Sequence, residues 1–334
     1  MSSAPSPPHV VEDCLGVLQV LSDGSILRSP NPVIPVPVPV RDDGTVVWKD
    51  VQFDAAHDLH LRLYKPRNRL PSDGLKLPVF YYFHVGGFCF GSCTWSANQN
   101  CCLRLAAELR AVVVNPDYRL APEHRLPAAI DDGASAVEWL RRQAVSPDQD
   151  PWLAEAADFG RVFISGESAG GNIAHHLAVR FGSAAGRAEL HPVQIRGFLL
   201  IMPFIGGIQR TRSEAQCPKE AFFNLEANDR YWRLSLPAGG TRDHPLANPF
   251  GPESPSLEAV EVEPVLVVVA ENDLLRDRGV DYAKRFEGWG KRVKLVEFKG
   301  QQHGFFCFGA SSEPVDELMT VIKRFMDEVG TGLG

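Results

Sequence analysis

The stretch RVFISGESAGGNIAHHLAVRF, residues 161–181, constrains this chain more than any other. An apolar run reads as a buried strand, and the segment after residue 168 reads as a helix. Between them lies G-E-S-A-G, with Ser168 set between Gly166 and Gly170. A serine on so sharp a strand-to-helix turn needs small neighbours to relieve crowding. The helix start also points backbone N–H groups toward negative charge that develops beside the serine. G-x-S-x-G alone occurs widely by chance; the strand before it and the helix after it give it weight as a nucleophile elbow.

The rest of the chain supplies the setting. From residue 78, apolar strands (79–83, 111–118, 161–168, 195–203, 265–270, 293–298) alternate with helix-length segments near 98–109, 127–144, 169–181, 277–289 and 312–328. Such alternation predicts an α/β fold with a mostly parallel central sheet covered by helices on both faces. Two strand-like stretches, TVVWKDVQF and LHLRLYKP, precede it, the second alternating as a half-exposed antiparallel strand does. Residues 204–250 break the rhythm and read as a helical cap insertion. Residues 1–45 read as an N-terminal cap segment, with a Pro-rich extended run at 29–40 and a short amphipathic helix over 10–21. The 334 residues are expected to form a single domain, with a large enough core at 44% hydrophobic content.

Several function classes are excluded by composition. A formal net charge of −7 without any Lys/Arg-rich block argues against nucleic acid. The longest apolar runs are strand-sized, so no membrane span is expected, and the N-terminus lacks a secretory pattern. Seven cysteines (14, 89, 93, 101, 102, 217, 307) show no metal-ligand spacing. They read as reduced thiols of a cytoplasmic protein, with a nuclear location left open and neither metal nor cofactor expected.

A serine hydroxyl needs a base, and the base an orienting acid. On this architecture the chain order is Ser, then acid, then His. Of the later histidines, His191 precedes a strand and His244 lies in the cap segment. His303, in GQQHGFF, follows the strand 293–298 and so sits at the carboxyl edge of the sheet. Asp273 follows the strand 265–270 at the same edge, with Asp277 as runner-up. His175 and His176 lie on the elbow helix and read as packing or surface residues. An acyl-transfer site also needs N–H donors for the oxyanion. One should come from Ala169 and others from the loop after strand 79–83, HVGGF, which holds His84, Val85, Gly86 and Gly87. Phe88, Phe90, Phe204, Phe222, Phe223, Trp232 and Phe305 are candidates for an apolar pocket, although each could equally serve the core.

These residues together resemble the hormone-sensitive-lipase-like branch of the α/β-hydrolases, and more narrowly the plant carboxylesterases. The resemblance runs along nearly the whole chain: HVGGFCFGS, DYRLAPEHRLPAAIDD, GESAGGNIAHHLAVR, ANPFGP, DLLRDRGVDYAKR and HGFF. It is closest to the carboxylesterase 15 group, which the resemblance associates with strigolactone hydrolysis. It implies an α/β-hydrolase fold, a triad of Ser168, Asp273 and His303, and oxyanion donors on Gly86, Gly87 and Ala169. The implied partner is a hydrophobic small-molecule ester or lactone; a homodimer is left open. The same family contains gibberellin receptors, which lack the catalytic histidine that this chain keeps as His303. It also contains hydroxyisoflavanone dehydratases, whose oxyanion loop carries a hydroxyl that Val85, Gly86 and Gly87 do not supply. A ligand-binding protein and a cyclase or dehydratase are therefore the competing readings.

Val85 is the departure, because the family usually has glycine there. Were φ positive, a β-branched residue would strain the backbone by about 1–3 kcal/mol. At negative φ it would instead place two methyls beside the acyl pocket. Either way, reduced turnover or a narrowed substrate range is the expectation.

Overall fold

The computed structural model describes residues 7–29, 39–67, 75–309 and 312–330. Two compact units divide it, Met1–Pro39 and Val40–Gly334. The Pro-rich expectation for 29–40 falls almost wholly outside the described residues.

In the first unit, β1 (Val10–Cys14), β2 (Leu18–Leu21) and β3 (Ile26–Arg28) form an antiparallel sheet. The helix expected over 10–21 is absent, and with it the helical character expected of the N-terminal segment. The reason is a turn: Leu15 and Gly16 both take positive φ, 57° and 67°. That conformation reverses the chain and suits a tight hairpin. The Gly16 N–H donates to the Asp13 carboxylate at 2.6 Å, and the Val17 N–H to the Cys14 carbonyl at 3.0 Å. Apolar spacing alone did not reveal this turn.

The second unit is built on an eight-stranded sheet. Its strands are β4 (Val46–Asp54), β5 (Leu59–Pro66), β6 (Leu77–Phe83), β7 (Val112–Pro116), β8 (Ala157–Glu167), β9 (Ile195–Ile201), β10 (Val265–Ala270) and β11 (Val293–Phe298). They lie in the order β11-β10-β9-β8-β6-β7-β5-β4. The six from β6 to β11 run parallel, and β5 and β4 join antiparallel at one edge. Alternate side chains of β6 show why its run VFYYF is continuously apolar. Phe80 and Tyr82 enter the core on one face, with α1 (Ser96–Leu109) and the C-terminal helix. Tyr81 points the other way and bonds the Ala136 carbonyl of α2 (Ala128–Val145) at 2.9 Å.

The remaining helices are α3 (Pro151–Ala156), α4 (Ala169–Phe181), α5 (Ala184–Leu190), α6 (Arg212–Ala215), α7 (Leu225–Ser235), α8 (Arg276–Gly288), α9 (Phe305–Phe308) and α10 (Glu313–Gly330). Residues 204–250 carry α6 and α7 with irregular chain between them. The sheet delivers the elbow, the 84–90 loop, the 271–275 turn and the 299–304 loop to the carboxyl ends of adjacent parallel strands, where sites of open α/β sheets form. All seven cysteines are free thiols. Among the described residues, no helix is long and apolar enough to cross a membrane.

Candidate active site

Ser168 joins β8 to α4 with φ 57° and ψ −116°. Few non-glycine residues adopt that backbone, and it persists only where the surroundings fix it. Here the end of β9 does so: the Ser168 N–H donates to the Ile201 carbonyl at 2.9 Å, and the Ser168 carbonyl accepts from the Phe204 N–H at 2.9 Å. The flanking glycines allow close approach. A Cβ on Gly166 would stand 2.0 Å from the Gly170 carbonyl oxygen, and one on Gly170 2.0 Å from that of Phe83.

His303 brings Nε2 to 2.9 Å from the Ser168 hydroxyl and Nδ1 to 2.8 Å from an Asp273 oxygen. The other Asp273 oxygen accepts the Leu275 N–H at 2.9 Å, which fixes the carboxylate in a buried position. A carboxylate can only accept, so Nδ1 carries the proton and Nε2 offers its lone pair to the serine. Burial by itself would disfavour the imidazolium. The Asp273 charge and hydrogen bond, helped by Glu167, outweigh it and raise the His303 pKa above its ordinary value. The alternatives are engaged elsewhere. Asp277 accepts from the Ser213 N–H and pairs with Arg276, His175 bonds the Tyr282 hydroxyl, and His176 bonds the Leu246 carbonyl. The His244 ring accepts the Leu246 N–H.

The HVGGF loop is organised by its histidine. His84 is fully buried, and its Nδ1–H donates to the Val85 carbonyl at 2.7 Å. The Tyr118 ring stacks on it at 4.2 Å, and the Tyr118 hydroxyl donates to the His84 carbonyl at 2.9 Å. Anchoring the Val85 carbonyl fixes the peptide plane whose other end is the Gly86 N–H. Gly86 and Gly87 take φ 133° and 56°. At Gly86 a side chain is impossible, since its Cβ would lie 1.8 Å from the Phe90 carbonyl oxygen. Val85 is absent from the positive-φ residues, so the strained alternative does not occur. Among the described residues, no protein acceptor takes the N–H of Gly86, Gly87 or Ala169.

A cavity of about 30 Å³ borders Ser168 and His303, open on one side and lined by Val85, Gly86, Gly87, Phe90, Phe222, Phe223, Tyr231 and Phe308. Three of the seven aromatic pocket candidates, Phe90, Phe222 and Phe223, stand there; the Phe223 ring lies 4.4 Å from the His303 ring. The other four do not. Phe204 and Trp232 stack on each other at 4.0 Å, with Phe88 at 6.1 Å from both, and Phe305 packs on Phe298. They are buried core, because a sequence of aromatics without regular strand or helix does not show which rings face inward. Tyr231 and Phe308 were missed for the same reason.

The family model for the alpha/beta hydrolase fold matches residues 80–307, from β6 through α9. The chain belongs to the α/β-hydrolase family. Within it, the chain stands with the plant carboxylesterases, as carboxylic ester hydrolases. It is 38% identical over 305 residues to a probable carboxylesterase 6 of Arabidopsis thaliana, covering 90% of this chain and 86% of the relative. A gibberellin receptor of the same plant is 36% identical over 268 residues, covering 77% of this chain and 74% of the receptor. Among solved structures, a hyperthermophilic esterase of the archaeon Pyrobaculum calidifontis is similar with a TM-score of 0.69 at 29% identity, covering 87% of this chain and 86% of that one.

One residue of this hydrolase's site escaped the sequence reading. Glu167, beside the nucleophile, is fully buried and accepts from the Tyr82 hydroxyl at 2.8 Å. Burial pushes its pKa up to about 7, against the Tyr82 hydrogen bond, the His303 charge and the Cys307 N–H, which all favour the carboxylate. It links the elbow to β6 and to α9, just past His303. The available signal was a carboxylic acid ending an otherwise apolar strand.

Proposed function

We propose that this α/β-hydrolase is a serine carboxylesterase of hydrophobic small-molecule esters or lactones, working through an acyl-enzyme on Ser168. The observation that carries the reading is the serine–histidine–aspartate chain of 2.9 and 2.8 Å beside three N–H groups without a protein acceptor. Ser168 Oγ attacks the carbonyl carbon while His303 Nε2 takes the hydroxyl proton, and Asp273 holds the ring and stabilises the imidazolium. The oxyanion meets Gly86, Gly87 and Ala169, donors of a kind each worth about 3–4 kcal/mol. His303 returns the proton to the departing alcohol, and water then releases the acid by the same steps.

Strigolactone-type lactones stand as one candidate of this class, carried by the family resemblance alone. The test is labelling with a fluorophosphonate, read by mass spectrometry. A single adduct on Ser168, lost in Ser168→Ala, is the expected result; no adduct on the wild-type chain overturns the reading. A ligand held tightly and never turned over, with no adduct, supports the receptor-like alternative instead.

A further inference from the structure

The two nitrogens of His303 are committed, Nε2 to the Ser168 hydroxyl and Nδ1 to Asp273. A face of the same ring is covered by Phe223, with the centroids 4.4 Å apart and the planes tilted by 35°. Phe223 belongs to the irregular chain between α6 and α7, yet its ring is held from two sides. The Tyr231 ring of α7 lies parallel to it at 6.1 Å, and the Phe204 ring meets it edge-on at 6.0 Å. The backbone there is tied down as well. The Cys217 thiol donates to the Phe223 carbonyl at 3.8 Å. The Asn224 side chain, next in the chain, accepts the Ala227 N–H at the start of α7 and donates to the Lys219 carbonyl. Phe223 is itself buried, so this face of the imidazole meets an aromatic ring in place of water.

We propose that Phe223 stabilises the imidazolium that His303 becomes on taking the Ser168 proton, as a positioning residue that acts through the base. This rests on the acyl-enzyme reading above. The faces of an aromatic ring are negative, so a cation within about 6 Å of the centroid is attracted, and a neutral imidazole gains much less. The resting base is neutral. Charge appears on it only as the Ser168 Oγ–carbonyl bond forms and the Oγ proton moves to Nε2. An attraction made only then lowers the barrier and leaves substrate binding almost untouched. The other groups facing His303 set the background. Burial disfavours the imidazolium, while Asp273 in the turn after β10 and Glu167 at the end of β8 favour it. The Cys217 thiol under Phe223, the Cys307 thiol of α9 and the Tyr231 phenol keep their protons in the acid range. Phe223 thus has two opposed effects on the base: it buries the ring, and it faces the charge. A leucine at 223 would keep much of the burial and lose the negative face, which separates the two.

The test follows kcat, KM and the acid limb of kcat/KM for p-nitrophenyl acetate. It compares the wild-type chain, Phe223→Leu, and chains carrying mono-, di- and trifluorinated phenylalanine at position 223. Fluorine draws charge from the ring face and barely alters its shape, so that series leaves packing and folding intact. Phe223→Leu should lower kcat about 2- to 30-fold, the range of a cation–ring contact. Its acid limb should move to lower pH, because the charged base is less favoured, by about one pH unit for each tenfold loss of kcat. Stepwise fluorination should lower kcat and move the limb in the same direction, with KM nearly constant. A limb that stays fixed or moves to higher pH, as burial alone would give, overturns the proposal. So does a fluorinated series of constant kcat. Fluorophosphonate labelling separates this from the reading beneath it. A labelled Ser168 with rates indifferent to the ring at 223 overturns the role of Phe223 alone, whereas a wild-type chain that takes no label overturns the esterase reading.

Discussion

Two turns at the carboxyl ends of neighbouring strands hold the chemistry, and they carry their unusual backbone differently. At the elbow a serine takes φ 57°, and two hydrogen bonds from the end of β9 hold it there. In the 84–88 loop, the proposed oxyanion loop, the corresponding conformations fall on Gly86 and Gly87, while Val85 beside them is relaxed. The difference follows from what each position must present. The elbow has to offer a side-chain oxygen, so a residue with a Cβ must tolerate the strain. The loop needs to offer only N–H groups, so glycine serves, and its peptide plane is set by His84 of the same loop, whose carbonyl Tyr118 holds.

Breaking the elbow should have the largest effect. Ser168→Ala should lower kcat by about 10⁴- to 10⁶-fold, as removal of a triad nucleophile does elsewhere. Ser168→Gly should be as inactive yet more stable, by about 1 kcal/mol as backbone strain is relieved. Denaturant midpoints of the wild-type chain and both variants check this, and an unchanged midpoint for the glycine variant would show that Ser168 stores no strain.

In the loop the order of sensitivity reverses. Gly86→Ala must displace the Phe90 carbonyl, so kcat should fall about 10²- to 10³-fold, the effect of losing an oxyanion donor. Tyr118→Phe keeps the stacked ring and removes the hydroxyl's hydrogen bond to the His84 carbonyl together with its 3.1 Å contact to His84 Nδ1. It should cost about 1–3 kcal/mol of stability through the carbonyl left unpaired, with a smaller loss of kcat than Gly86→Ala. Equal losses of kcat would mean that Tyr118 acts on the donors directly.

Glu167 gives the smallest change in rate and a signature in pH. Its folded pKa of about 7 lies above the ordinary 4.5, so the folded state takes up a proton between those values. The stability tied to that proton is fully present below pH 4.5 and is lost as pH rises through 7. Glu167→Gln should match the wild-type chain near pH 5 and gain up to about 3 kcal/mol on it above pH 8. Because Glu167 also helps raise the His303 pKa, the acid limb of the kcat/KM profile should move to lower pH in Glu167→Gln. Urea melts at two pH values and a rate profile separate the two effects; a fixed acid limb would show that Glu167 does not reach His303.

Much of this was legible in the residues. The six parallel strands announced themselves because strands buried on both faces are apolar throughout, as VFYYF and VLVVVA are. Ser168, Asp273 and His303 were placed by their position after strands 161–168, 265–270 and 293–298, since a parallel sheet brings such ends to one edge. What failed has equally local causes. The 10–21 segment was read as a helix because its turn depends on Leu15 adopting a conformation that leucine rarely takes. Phe88, Phe204, Trp232 and Phe305 were counted in the pocket because burial in a core and burial against a ligand look alike in a sequence.

The sequence by itself determined the layered α/β body and which residues could form a nucleophile, base and acid, because strand polarity and chain order are one-dimensional properties. Tertiary structure alone decided how those groups are tuned. The Val85 carbonyl is held by His84, whose own carbonyl Tyr118 holds, Glu167 is buried against Tyr82, and six side chains from four separated stretches line the cavity beside Ser168. Volume, burial and the aim of an N–H group depend on what packs from elsewhere in the chain, and no local pattern records them.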